Sequence, residues 1–106
     1  MSNKKKTAYI VSHTHWDREW RYTIWETREW LISFMDELVD ILETGKYKGF
    51  LMDGQVVPVL DYLEAKPEMA ARTKKLIKEG KLQVGPWYCL PDEYPVDGEA
   101  LVRNLL

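Results

Sequence analysis

Hydrophobic and polar positions along this chain follow two different periods, and the changes of period mark its elements. Ala8-Tyr9-Ile10-Val11 is a short, continuously apolar, β-branched run that predicts a strand buried on both faces, as in a parallel sheet. It runs into Ser12-His13-Thr14-His15, so polar side chains arrive where such a strand leaves the sheet. Over residues 26–43 the spacing turns helical. Leu31, Phe34, Met35, Leu38, Ile41 and Leu42 recur at three- and four-residue steps, with Asp36, Glu37, Asp40 and Glu43 opposite. Gly45 stands just past that helix, where a left-handed cap is expected. Gly49-Phe50-Leu51-Met52 predicts a second strand ending at Asp53-Gly54. Two helices should follow, over 56–63 with Pro58 in the first turn, and from Pro67 through Ile77, closed by Gly80. Leu82-Gln83-Val84-Gly85 predicts a third strand and residues 86–95 a loop holding three prolines. Asp97-Gly98-Glu99 opens a last helix still running at Leu106.

Strands alternating with helices place the chain in the α/β class, with a parallel sheet and right-handed crossovers. Three strands neither cover both sheet faces nor close a barrel, so the pattern describes the opening βαβαβα segment of a larger α/β domain. Unpaired strand edges in such a segment predict self-association. Residues 1–6, MSNKKK, read as a disordered basic tail.

Composition narrows the function. Fifteen Lys and Arg against seventeen Asp and Glu leave a net charge of -2, which excludes an electrostatic case for nucleic acid or an anionic membrane as partner. No run approaches the roughly 18 apolar residues of a membrane span, and the run at 8–11 is too short for a signal-peptide core. A single cysteine, Cys89, forms no internal disulfide, so the expected localisation is cytoplasmic. Four of the five tryptophans, Trp16, Trp20, Trp25 and Trp30, crowd into residues 16–30 beside both histidines and Arg18, Arg21 and Arg28. That mixture suits a pocket wall better than a core.

Ligands of parallel α/β folds bind at the carboxyl ends of the strands. Three polar clusters occupy those ends and should converge on one mouth: His13 to Asp17, Asp53-Gly54-Gln55, and Trp87-Tyr88 with Asp92-Glu93. In extended backbone, residues two apart face the same way, so His13, His15 and Asp17 can share a side. Imidazole and carboxylate together suit Zn²⁺ or a similar divalent ion. The competing reading buries one histidine as a hydrogen-bonding residue and pairs Asp17 with Arg18 or Arg21. Asp53 fits a plain turn as well as a site. Asp92 and Glu93 could divide acid and base roles or merely cap a helix. Trp87-Tyr88 could stack on a sugar ring or simply pack the loop. Cys89 has no neighbouring base and reads as inert.

With those residues assembled, the chain resembles the N-terminal part of glycoside hydrolase family 38, the α-mannosidases, in its bacterial and archaeal branch. The resemblance rests on Val11-Ser-His-Thr-His-Trp-Asp-Arg-Glu-Trp20, Leu51-Met-Asp-Gly-Gln55, Gly85-Pro-Trp-Tyr88, Pro91-Asp-Glu93 and Gly98-Glu99 through Arg103-Asn104-Leu105, in the family's order. It implies residues 7–106 of an incomplete (β/α)-barrel-type catalytic domain, in a zinc-dependent retaining enzyme that removes α-linked mannose from glycans or mannosyl solutes. By the same resemblance, His15 and Asp17 are zinc ligands and His13 supports them. Trp20 lines a sugar subsite, and Asp53, Trp87, Asp92 and Glu93 lie about the same cavity as substrate-binding residues. The nucleophile and a further histidine ligand are expected beyond Leu106, so this stretch alone should be inactive and hold zinc weakly or not at all; homo-oligomers remain open for the parent enzyme. Two alternatives stand beside this reading. A metal-dependent amidohydrolase also places His-x-His after its first strand, and a non-catalytic interaction domain could keep an ancestral pocket.

Overall fold

A computed structural model of the chain describes residues 4–91 and 95–105. Its elements are α1 (Ile24–Glu43), β1 (Phe50–Leu51), α2 (Val57–Ala65), a 3-10 turn (Pro67–Met69), α3 (Ala70–Lys78), β2 (Leu82–Gln83) and α4 (Gly98–Asn104). Helix α1 starts two residues earlier than its apolar spacing predicts, because Thr23 caps it. The Thr23 hydroxyl accepts the Glu26 N–H at 3.3 Å and the Glu26 carboxylate accepts the Thr23 N–H at 3.1 Å, a reciprocal capping box. Gly45 takes the expected left-handed conformation, φ 73°.

Strands β1 and β2 pair in parallel, Phe50 against Leu82 and Leu51 against Gln83. On the other edge of β1 the Leu51 N–H donates to the Ser12 carbonyl at 2.9 Å, and the Thr14 N–H donates to the Leu51 carbonyl at 3.3 Å. Three parallel segments thus lie side by side in chain order, which is the predicted α/β topology. The strand expected at 8–11 is different: Tyr9 and Ile10 are 89% and 92% exposed. Register explains it. His13 pairs with Leu51, so residues 8–11 run alongside 46–49, the turn and coil after α1, and have no ladder to join. Regular pairing begins only at Ser12.

The core is the seam between α1, α2, α3 and the strands. Leu31, Met35, Val39 and Leu42 of α1 meet Met52, Tyr62, Leu76 and Leu82. Burying each such Leu or Met stabilises the fold by about 1.5–3 kcal/mol. Trp16 stacks on Phe34 with centroids 5.8 Å apart, and Phe34 in turn meets Phe50 at 5.8 Å, extending the core under the segment that follows Ser12.

The last helix does not continue to its predicted end. It stops at Asn104, whose main-chain carbonyl accepts the Tyr88 N–H at 2.8 Å while its side chain bonds both backbone groups of Cys89. Leu105 is extended and bridges to Trp87. The loop after β2 therefore takes the carbonyl that a further helical turn would have used. Of the expected tail, residues 4–6 are exposed. No helix among the described residues is long and apolar enough to cross a membrane.

One polar cluster ties α2 to α1. The Tyr62 hydroxyl, on a fully buried ring, donates to Asp36 at 2.6 Å, and the Lys66 ammonium donates to the other Asp36 oxygen at 2.7 Å. These bonds, Lys66 first, hold the Asp36 carboxyl below its ordinary value of 3.8, while burial raises the Tyr62 phenol. A carboxyl depressed by folding contributes stability above its unfolded value and loses it as pH falls through the folded one. Urea denaturation against pH should therefore show an acid limb below 3.8 that Asp36→Asn flattens. Tyr62→Phe should cost about 1 kcal/mol at neutral pH.

Candidate functional site

Residues 11–19 alternate strictly between exposed and half-buried, the signature of extended backbone lying on a surface. His13, His15, Asp17 and Glu19 face outward; Ser12, Thr14, Trp16 and Arg18 face the body. Each inward residue is held. The Trp16 carbonyl accepts the Gln55 side-chain N–H at 2.9 Å. Arg18 forks onto Asp61 of α2 through two bonds of 2.8 and 3.2 Å, and its own carbonyl accepts the Thr27 hydroxyl of α1. Arg18 is thus engaged with Asp61, and the side-chain partner of Asp17 is His15.

The outward face is built around His15. Its Nδ1 lies 2.9 Å from Asp53 Oδ2 and its Nε2 lies 3.4 Å from Asp17 Oδ1. The hydrogen bond to Asp53, then the charge of Asp17, raise the His15 imidazole above its ordinary 6.5. His13 Nδ1 is 3.9 Å from the other Asp53 oxygen, beyond hydrogen-bond reach. Asp53 reaches this position through an unusual backbone. Its φ of 48° and the 75° of Gly54 make consecutive left-handed residues, a conformation Asp tolerates better than most side chains, and the turn closes with the Gln55 N–H on the Met52 carbonyl at 3.1 Å. The turn and the site coincide at Asp53.

The third cluster joins the other two through main-chain bonds. The Trp87 N–H donates to the Gly54 carbonyl at 3.0 Å, and the Trp87 and Tyr88 carbonyls accept the N–H groups of Val56 and Val57 at 2.8 and 3.0 Å, at the start of α2. Buried Gln55 is the hub: its amide bonds Trp16 on one side and its oxygen accepts the Leu90 N–H at 3.4 Å on the other. The described parts of all three strand-end clusters meet at one mouth. Asp92 and Glu93 lie outside the described residues. Two clefts flank residues 15–20. One of about 530 Å³ is lined by His15, Asp17, Trp20, Gln55, Cys89 and Leu90; the other, of about 330 Å³, by Asp17, Trp20, Arg21, Tyr22 and Thr27. Asp17 and Trp20 belong to both, and Trp20 is 75% exposed.

Chemically, His15 Nε2 and Asp17 Oδ1 are two hard-to-borderline donors side by side and open to solvent, at 61% and 46% side-chain exposure. Among the described residues no three His, Cys, Asp or Glu side chains form a group able to hold a metal ion. The described residues thus offer an ion this pair of donors and no fuller group. Sequence reasoning missed the Arg18–Asp61 fork, the Gln55 hub and the Asn104 clasp. Long-range pairing of this kind has no local signature.

A sheet of parallel segments with polar strand ends gathered at one mouth is the usual ligand-binding arrangement of parallel α/β folds, and comparison makes it specific. Residues 5–106 match the model of the "Glycosyl hydrolases family 38 N-terminal domain". The chain belongs to glycosyl hydrolase family 38, which sets aside the amidohydrolase alternative. A protein of Halalkalibacterium halodurans named "Putative mannosylglycerate hydrolase" is 47% identical over 103 residues, 96% of this chain and 12% of that protein. The crystal structure of an α-mannosidase from Enterococcus faecalis V583 aligns with 90% of this chain and 11% of its own, at TM-score 0.85 and 40% identity. A second family 38 protein from Enterococcus faecalis aligns at TM-score 0.80 and 37% identity, over 92% of this chain and 11% of its own. The chain spans about an eighth or less of the length of these relatives.

The Arg18 fork is directly testable. Arg18→Ala should destabilise the chain by about 2 kcal/mol in urea denaturation, because it strands the Asp61 carboxylate, and Arg18→Lys should recover only part of the loss.

Proposed function

We propose that residues 7–106 form the N-terminal portion of the catalytic domain of a zinc-dependent retaining α-mannosidase, an incomplete (β/α)-barrel whose substrates are terminal α-mannosides of glycans or mannosyl solutes. Family membership supports the glycosidase and carbohydrate parts of this reading; the names of the relatives support the mannosyl part. One distance supports the metal. Donors about 2.0–2.2 Å from a tetrahedral Zn²⁺ lie about 3.3–3.6 Å apart, and His15 Nε2 and Asp17 Oδ1 are 3.4 Å apart.

In this reading His15 and Asp17 hold the ion from one side, and His13 stands beside them. Zinc bound there supplies a template for sugar hydroxyls and electrostatic support for ring distortion. Trp20 offers the sugar an exposed aromatic face, and Asp53, Trp87, Asp92 and Glu93 are further substrate-binding residues in this reading. Retaining chemistry needs two carboxyls about 5–5.5 Å apart, one of them the nucleophile. We assign no residue of this chain to the nucleophile; its part is to bind and orient. A cytoplasmic location accords with the single cysteine.

Grafting this chain into the Enterococcus faecalis α-mannosidase, in place of the equivalent stretch, tests the reading. The graft should hydrolyse an aryl α-mannoside, lose activity on exhaustive chelation and regain it with Zn²⁺. His15→Ala or Asp17→Ala should lower its kcat/KM by at least 100-fold, roughly the effect of losing a stabilising contact of about 2.7 kcal/mol. Activity indifferent to chelation would refute zinc dependence. We also propose that the isolated chain self-associates through its exposed 9–11 run and open sheet edge. Light scattering should give a mass above 12.5 kDa, and a compact monomer would contradict this.

A further inference from the structure

The environment of His15 assigns a role to Asp53 beyond contact with substrate. A neutral imidazole carries its proton on one nitrogen only, and an ionised carboxylate can only accept. With Asp53 Oδ2 at 2.9 Å from Nδ1, the hydrogen bond forms when Nδ1 carries the proton. The lone pair is then left on Nε2, the nitrogen 3.4 Å from Asp17. His13 does not take this place, since its Nδ1 stays 3.9 Å from the second Asp53 oxygen. The Asp53 carboxylate projects from a left-handed residue between β1 and the Gln55 hub, and it is only 23% exposed beside a His15 side chain that is 61% exposed.

We propose that Asp53 is a positioning residue. It locks His15 in the Nδ1–H tautomer and fixes the ring so that Nε2 and the Asp17 carboxylate present one two-donor grip. The consequence for metal rests on the zinc reading above; the tautomer lock does not. Carboxylate–histidine pairs of this kind commonly tune metal affinity by 10–100-fold.

Two measurements separate the claims. With two histidines in the chain, ¹⁵N-imidazole NMR above the imidazole titration resolves each ring, and His13→Gln identifies the other signal as His15. The wild type should show His15 with a protonated Nδ1 and a bare Nε2. Asp53→Ala should move it toward the Nε2–H form, and Asp53→Asn, which keeps a residue tolerant of the left-handed turn, should do so without loss of fold by circular dichroism. A wild-type Nε2–H ring, or no change in either variant, would overturn the lock. In the graft, Zn²⁺ affinity by chelator competition should fall 10–100-fold in both variants. Affinity lost with the tautomer unchanged would instead make Asp53 a direct ligand and refute the positioning role. Zinc that fails to bind even the wild type, with the tautomer locked, would sink the metal reading and leave the role of Asp53 standing.

Discussion

Extended backbone sends alternate side chains to opposite sides, and over residues 11–19 that rule does most of the work of assembling the site. The outward set carries imidazole and carboxylate; the inward set carries the groups that hold the segment down. Trp16 packs on Phe34, the Trp16 carbonyl takes the Gln55 amide, and Arg18 forks onto Asp61. Because these anchors come from α1, α2 and the turn after β1, the outward face inherits the rigidity of the core. A one-residue slip would bury His15 and Asp17 and expose Trp16 and Arg18, so register and chemistry are inseparable here.

Much of this was legible in the amino-acid pattern. Helical spacing located α1, α2 and α3, and the strand–helix alternation implied the parallel topology that β1 and β2 adopt. The dipeptide spacing of His13, His15 and Asp17 anticipated their common side. What failed was governed by partners distant in sequence. The apolar run at 8–11 looked like a buried strand, yet its neighbours in register are a turn. The final helix looked open-ended, yet Asn104 is taken up by the loop at Tyr88 and Cys89. The start of α1 was missed although Thr23-x-x-Glu26 is a local capping signature that could have found it.

Asp53 shows how a turn residue acquires a second use. A tight reversal after a strand favours Asp or Gly on conformational grounds alone, and the same geometry aims the carboxylate at His15. Gln55, two residues on, spends both ends of its amide on the neighbouring loops. The Asp53-Gly54-Gln55 stretch therefore works as a bracket between the histidine segment and the loop after β2.

The most direct test of the central claim is a zinc-edge anomalous difference map from crystals of the grafted enzyme. The account predicts a peak about 2.0–2.2 Å from both His15 Nε2 and Asp17 Oδ1, with Asp53 on the far side of the ring. A fully occupied zinc elsewhere, or a His15 ring turned to offer Nδ1, would contradict it.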